Sequence, residues 1–279
     1  MFKYQRVSKR STELGSKILN IIRPHFLGLV NVSPINEIQL MLTYSFEDLA
    51  QTFRVLLEAN FQLNQLLPVD RGEAIGNLET AINAKLNSFH NLYDLMQQNK
   101  INLPNWYEVP ELCIILAIRN ARHHNKANRI RSIYNYHRYT AENPLNARKY
   151  FYVDFKAPPE EEGGDCFDVP LSWNDLDSFL LLPRKESFMR PEARILIRDY
   201  LNADKFEKDA SSSGIEKNEI FFNFVPLTLN AGIALHDYVK PHVKADSIEA
   251  KYFLHHFDTV FPALTKSHES GAISFKLPK

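Results

Sequence analysis

Two arginines and two histidines lie within six residues in Arg119-Asn120-Ala121-Arg122-His123-His124. A guanidinium keeps its charge and binds phosphate oxygens two at a time. An imidazole titrates near neutrality and can carry protons. A polar residue such as Asn120 can orient either group by hydrogen bonding. These residue types together suit phosphoryl transfer. A second pair, Arg131 and His137, has five residues between its members, with Ser132 after the arginine. If the chain stays helical through the first motif, His123 lies one turn from Arg119 and shares its face. If the helix ends or distorts there, His124 becomes the partner. The plainer alternative is a charge cluster complementing a helix C-terminus.

The elements that must position these groups are mostly helical. Residues 35–67 lack Gly and Pro, follow Ser33-Pro34, and repeat apolar side chains at Leu42, Phe46, Leu49, Phe53, Leu56, Leu57, Phe61 and Leu63. That spacing predicts one face of a long amphipathic helix. Pro68 stops it, and Asp70 with Glu73 forms a capping box for a second helix reaching about residue 99. A short connection makes the two antiparallel neighbours. Pro110 opens a third helix whose residues 112–118 are apolar all round and therefore buried. Residues 119–138 also read as helix. A strand is expected over 149–157, a turn at 158–164, helices over 172–182 and 191–201, a flexible loop over 203–218, and helices over 219–239 and 246–261. The domain reading is a helical core with a lead-in segment over 1–148, a strand, loop and helix insertion over 149–218, and C-terminal helices over 219–279 packing back on the core.

The chain has 279 residues and zero formal net charge. No global basic field announces a nucleic acid or membrane. The zero hides a segregation. Arg119, Arg122, Lys126, Arg129, Arg131, Arg138, Arg148 and Lys149 face only Glu142 within 119–149. Asp154, Glu160, Glu161, Glu162, Asp165, Asp168, Asp175 and Asp177 face only Lys156 within 154–177. Either the blocks pair within the chain, or the basic one is an anion-binding surface masked by the acidic one. Two cysteines, Cys113 and Cys166, make neither a disulfide scaffold nor a Cys-rich zinc site. The apolar segment at 18–22 is too short for a signal-peptide core and no run is long enough to span a membrane, so a cytoplasmic protein with no membrane partner is expected. The His255, His256, Asp258 and His236, His242 groups match no known ligand spacing, so no metal and no cofactor are expected. A Gly-rich phosphate loop and a Gly-x-Ser-x-Gly elbow are absent.

Arg119, the polar Asn120 and His124 after four intervening residues, placed at a late helix end behind a long helix pair, resemble the HEPN superfamily of ribonucleases. The resemblance covers residues 35–140. It implies a mainly α HEPN-like bundle, here with a small α+β insertion or added subdomain. It further implies metal-independent RNA cleavage by 2′-OH attack, leaving a 2′,3′-cyclic phosphate. In that scheme Arg119, Asn120 and His124 are catalytic, with His123, Arg131 and His137 as alternatives. Arg122, Lys126, Arg129 and Arg131 would grip RNA phosphates. Tyr134, with Tyr136 and Tyr139, would stack on bases or simply pack. The family implies a homodimer with the motif at the interface, a toxin or defence role, and an antitoxin partner. The alternative function is a non-catalytic helical module binding RNA or protein.

Overall fold

A computed structural model describes residues 34–101, 104–124, 130–140, 142–143, 146–156 and 167–277. The lead-in segment, Ser33, Lys126, Arg129, Cys166 and the 158–164 turn lie outside them. The chain divides into two units, Met1–Ile38 and Gln39–Lys279. Only the opening of one helix is described in the first.

That helix, α1 (Pro34–Leu66), buries Leu42, Phe46, Leu49, Phe53, Leu56 and Leu63. Phe61, counted in the apolar stripe from spacing, instead points to solvent. The chain turns at 67–70, and the Asp70 carboxylate accepts from the Glu73 N–H at 2.9 Å to start α2 (Arg71–Gln98). Thr52 meets Ser88 at 3.0 Å, and residues 55–62 share a groove with residues 77–84. As one number rises the other falls, so α1 and α2 run antiparallel.

Lys85 sits inside this pair, fully buried. Its Nζ donates to the Leu49 carbonyl at 3.2 Å and lies over the rings of Phe53 and Phe89. Among the described residues no carboxylate is paired with it. Burial pulls the ammonium well below the usual lysine range. A desolvated cation–π contact gives back about 2 kcal/mol, while the effective penalty for a buried ion is several. Desolvation outweighs the ring contact, so the shift runs downward.

α3 (Pro110–His123) has Pro110 at its first turn, and every side chain from 112 to 118 is buried. Each large apolar group placed there contributes about 1.5–3 kcal/mol. α3 is thus the axis around which other elements pack, α2 among them. The helix read over 119–138 is interrupted. α3 ends at His123, and α4 (Ile133–Thr140) begins after Ile130, whose φ of 53° no α-helix accommodates.

The remainder is α+β. β1 (Arg148–Asp154) is central in a four-stranded mixed sheet of order β2-β3-β1-β4, with β2 (Pro170–Ser172), β3 (Ile220–Asn223) and β4 (Glu269–Phe275). β3 runs parallel to β1, with Phe151 opposite Ile220, and β4 antiparallel, with Arg148 opposite Phe275. Between the strands come α5 (Trp173–Leu180), the single turn α6 (Arg184–Ser187), α7 (Ala193–Tyr200) and α8 (Ala203–Ser212). α8 replaces the flexible loop expected at 203–218, because Ala203, Phe206 and Ala210 form a buried stripe. The helix expected over 219–239 begins as β3, whose four residues are all buried, and becomes helical only at α9 (Val225–Val239). α9 packs on α3 and on α10 (Ile248–Thr259). Among the described residues no helix is long and apolar enough to cross a membrane.

Candidate active site at the end of α3

α3 stays helical through His123, and His124 caps it, its N–H donating to the Asn120 carbonyl at 3.0 Å. Arg119 and His123 therefore share a face. They line one concavity of about 210 Å³ with Asn83, Leu86, Asn87 and Arg122. Arg119 Nη1 donates to Asn120 Oδ1 at 3.3 Å. Its Nε is buried and has no acceptor among the described residues. The Asn120 side chain is itself buried, and its Nδ2 reaches Met189 Sδ at 3.6 Å. Asn120 thus joins Arg119 to a segment seventy residues later in the chain.

Two further groups complete the surroundings. His90 of α2 lies one turn beyond Leu86 and Asn87, on the stripe that forms the concavity wall. Its Nδ1 is 3.0 Å from the Asp94 carboxylate. Burial lowers its pKa, the charges of Arg119 and His123 push the same way, and Asp94 opposes them. Arg119 is drawn down by burial and held up by Asp94. On the other side, the His124 ring stacks on Phe188 at 4.3 Å and meets His123 edge-on at 5.0 Å. Arg119, Arg122 and His123 thus line the concavity at the end of a buried helix, with His90 and Asp94 beside its wall and His124 adjoining His123. Sequence reasoning missed His90, Asp94 and Phe188. His90 and Asp94 carried a faint signal, an i,i+4 His/Asp pair on a well-defined helix. Phe188 carried none.

The other sequence candidates go elsewhere. Arg122 points inward with its side chain 5% exposed. Its Nε donates to Asn83 Oδ1 at 2.7 Å, Nη1 to the Ile130 carbonyl at 2.8 Å and Nη2 to the Glu79 carboxylate at 2.5 Å. Arg131 forms a two-pronged pair with Asp175, at 2.9 and 2.8 Å, and covers the Tyr136 ring. His137 is fully buried, with Nδ1 at 2.8 Å from the Tyr150 hydroxyl. The structure thus commits Arg131 and His137 to different partners. Tyr134 lies edge-on to Phe275, and burial pushes its hydroxyl up to about 12. Tyr136 is buried and Tyr139 is exposed. No group of three His, Cys, Asp or Glu side chains among the described residues could hold a metal ion. A larger concavity, about 420 Å³, lies at the opposite end of α3 beside Glu111, Tyr200 and Asn230, and none of the sequence candidates lines it.

Comparison with protein-family models, curated proteins and solved structures gives no match to this chain. The functional argument therefore rests on the chemistry of the α3 terminus.

Proposed function

We propose that this protein is a metal-independent endoribonuclease of the HEPN type. The observation that carries the reading is the gathering of Arg119, Asn120 and three histidines at the end of the buried helix α3. Arg119 binds the scissile phosphate and stabilises the negative charge that builds on it. Asn120 fixes the guanidinium. His124, at the spacing of the resemblance, takes the proton of the ribose 2′-OH. The 2′-oxygen then bonds to phosphorus and the P–O5′ bond breaks. An imidazolium returns a proton to the departing 5′-oxygen, leaving a 2′,3′-cyclic phosphate and a 5′-OH. His90 and His123 lie close enough to Arg119 for one of them to supply the second proton transfer. A second copy of the motif from a homodimer partner would supply it equally well. A toxin or defence role, with an antitoxin, follows from the same resemblance.

The test is cleavage of total RNA in EDTA by the parent, His124→Ala and His123→Ala proteins. We expect EDTA-resistant products ending in cyclic phosphate, lost with His124→Ala. Loss with His123→Ala instead assigns the proton to the imidazole sharing the Arg119 face. An intact RNA pool after incubation with folded parent protein would sink the nuclease reading. Retained RNA binding would then leave a non-catalytic module.

A further inference from the structure

Phe188 is out of place by two independent measures. It is a bulky residue in the left-handed region, with φ 58° and ψ 16°. Large side chains rarely adopt that conformation, and where they do it is held by the surroundings, often at functional sites. Here the surroundings hold it from three directions. The Phe188 N–H donates to the Arg184 carbonyl at 2.9 Å. The Tyr107 hydroxyl donates to the Phe188 carbonyl at 3.1 Å. The Met189 N–H donates to Ser187 Oγ at 3.2 Å, and the Met189 side chain is buried against Asn120. Yet this constrained backbone does not deliver the ring to the core. Phe188 is 49% exposed.

The backbone does place the ring against His124, near-parallel at 29°. One face of the phenyl is used by the imidazole. Exposed cations flank it in sequence, Arg184, Lys185 and Arg190, with Arg190 packed over the Tyr107 ring at 4.4 Å. Glu186 is the intervening acid. An aromatic face beside cations is the combination that holds unpaired nucleotides, bases on the ring and phosphates on the charges.

We propose that Phe188 is the base-stacking platform of the site and makes unpaired RNA its substrate. The inference rests on the ribonuclease reading and names the substrate form for it. A base stacked on the other face of Phe188 has the phenyl between it and His124, which adjoins His123 at the end of α3. A base held in a duplex is stacked on its neighbours and cannot take that place. Phe188 also acts as a positioning residue, since the same ring orients His124.

The experiment uses the full-length protein and two fluorescent oligonucleotides of one sequence carrying 2-aminopurine, one single-stranded and one in a duplex. Both have 2′-O-methyl riboses, so neither supplies a nucleophile and neither can be cut by this route. Binding of the single strand should quench 2-aminopurine through stacking. Phe188→Leu, which keeps apolar bulk against His124, should weaken single-strand binding roughly tenfold and abolish the quench. It should leave the weaker duplex binding unchanged. Phe188→Trp should restore both single-strand affinity and quench. Equal affinity of parent and Phe188→Leu for the single strand, with the quench intact, would overturn the proposal even if the protein cuts RNA. Quenching that depends on residue 188, in a parent protein that cleaves nothing, would keep the platform and remove the nuclease. No binding to either oligonucleotide would overturn both.

Discussion

Two parts of the molecule are rich in charge, and they treat it in opposite ways. Around α5, α7 and α8 two carboxylates close on more than one cation each. Asp177, 1% exposed, receives Arg194 at 3.0 Å, Arg198 at 3.3 Å and Lys217 at 2.6 Å. Glu207 receives Arg198 at 2.8 Å, Lys217 at 2.9 Å and the Trp173 indole N–H at 2.7 Å. Burial pushes both carboxyls up, but the hydrogen bonds outweigh it, holding Asp177 below its ordinary range and bringing Glu207 down to about 2. At the end of α3, by contrast, Arg119, His90 and His123 lie near one another with Asp94 as a nearby acid, and the buried Arg119 Nε has no acceptor among the described residues. Charge density alone does not mark a site. A surplus of one sign, held by a rigid element, is what the proposed site adds.

If that contrast is right, substitutions should separate activity from stability. The largest effect is expected for Arg119→Ala, about a thousandfold loss of cleavage rate in a single-turnover assay, or about 4 kcal/mol. The urea midpoint should move by no more than about 1 kcal/mol equivalent, because no carboxylate loses a paired cation. Asp177→Ala should do the reverse. It removes the buried carboxylate that three cations share, leaves Arg198 and Lys217 to Glu207 and takes the pair from Arg194, and should cost about 3 kcal/mol in urea unfolding, with cleavage by the folded fraction unchanged. Equal stability losses in the two variants would erase the distinction.

Arg122→Ala sharpens the comparison, since Arg122 stands within the motif but is wired like Arg194 or Arg198. We expect about 2 kcal/mol of lost stability from its inward hydrogen bonds and little change in RNA affinity. A flatter salt dependence of RNA binding in this variant would instead make Arg122 a phosphate ligand. A smaller effect concerns acid. The folded-state pKa of Glu207 is depressed, so its contribution is present above about 4.5 and is lost as the pH falls toward 2. Glu207→Gln should be less stable than the parent at neutral pH, and the gap should close across that window in thermal melts.

The local parts of this architecture were readable in the residues themselves. Pro68, Asp70 and Glu73 mark the turn between α1 and α2 because stop and cap signals act over three or four residues. That Arg119 and His123 share a helical face was readable for the same reason. Other elements depended on distant partners. The buried run of β3 has no period to separate strand from helix, and its pairing with β1 decides the matter. α8 hides three apolar contacts among Lys, Asp, Glu and Ser. β4, whose side chains are mostly exposed or half-buried, has a weak pattern and follows the register of β1. His90 and Phe188 join the site only through the packing of α2 and the 184–190 segment on α3, which no local rule supplies.

Lys85 has a consequence that calorimetry can read. Burial holds this amine well below the usual lysine range in the folded chain and unfolding returns it to that range, so at a pH between the two the unfolded chain binds the additional proton. Unfolding therefore draws a proton from the surrounding buffer, and the heat of that transfer enters the measured enthalpy. The apparent unfolding enthalpy should differ between Tris and phosphate at the same pH. Stability should climb as the pH rises toward 10, since the unfolded state binds more protons throughout that range. Lys85→Met should remove the buffer difference and flatten the climb. The interior of this helix pair thus works as a proton ledger, with an entry made each time the chain opens.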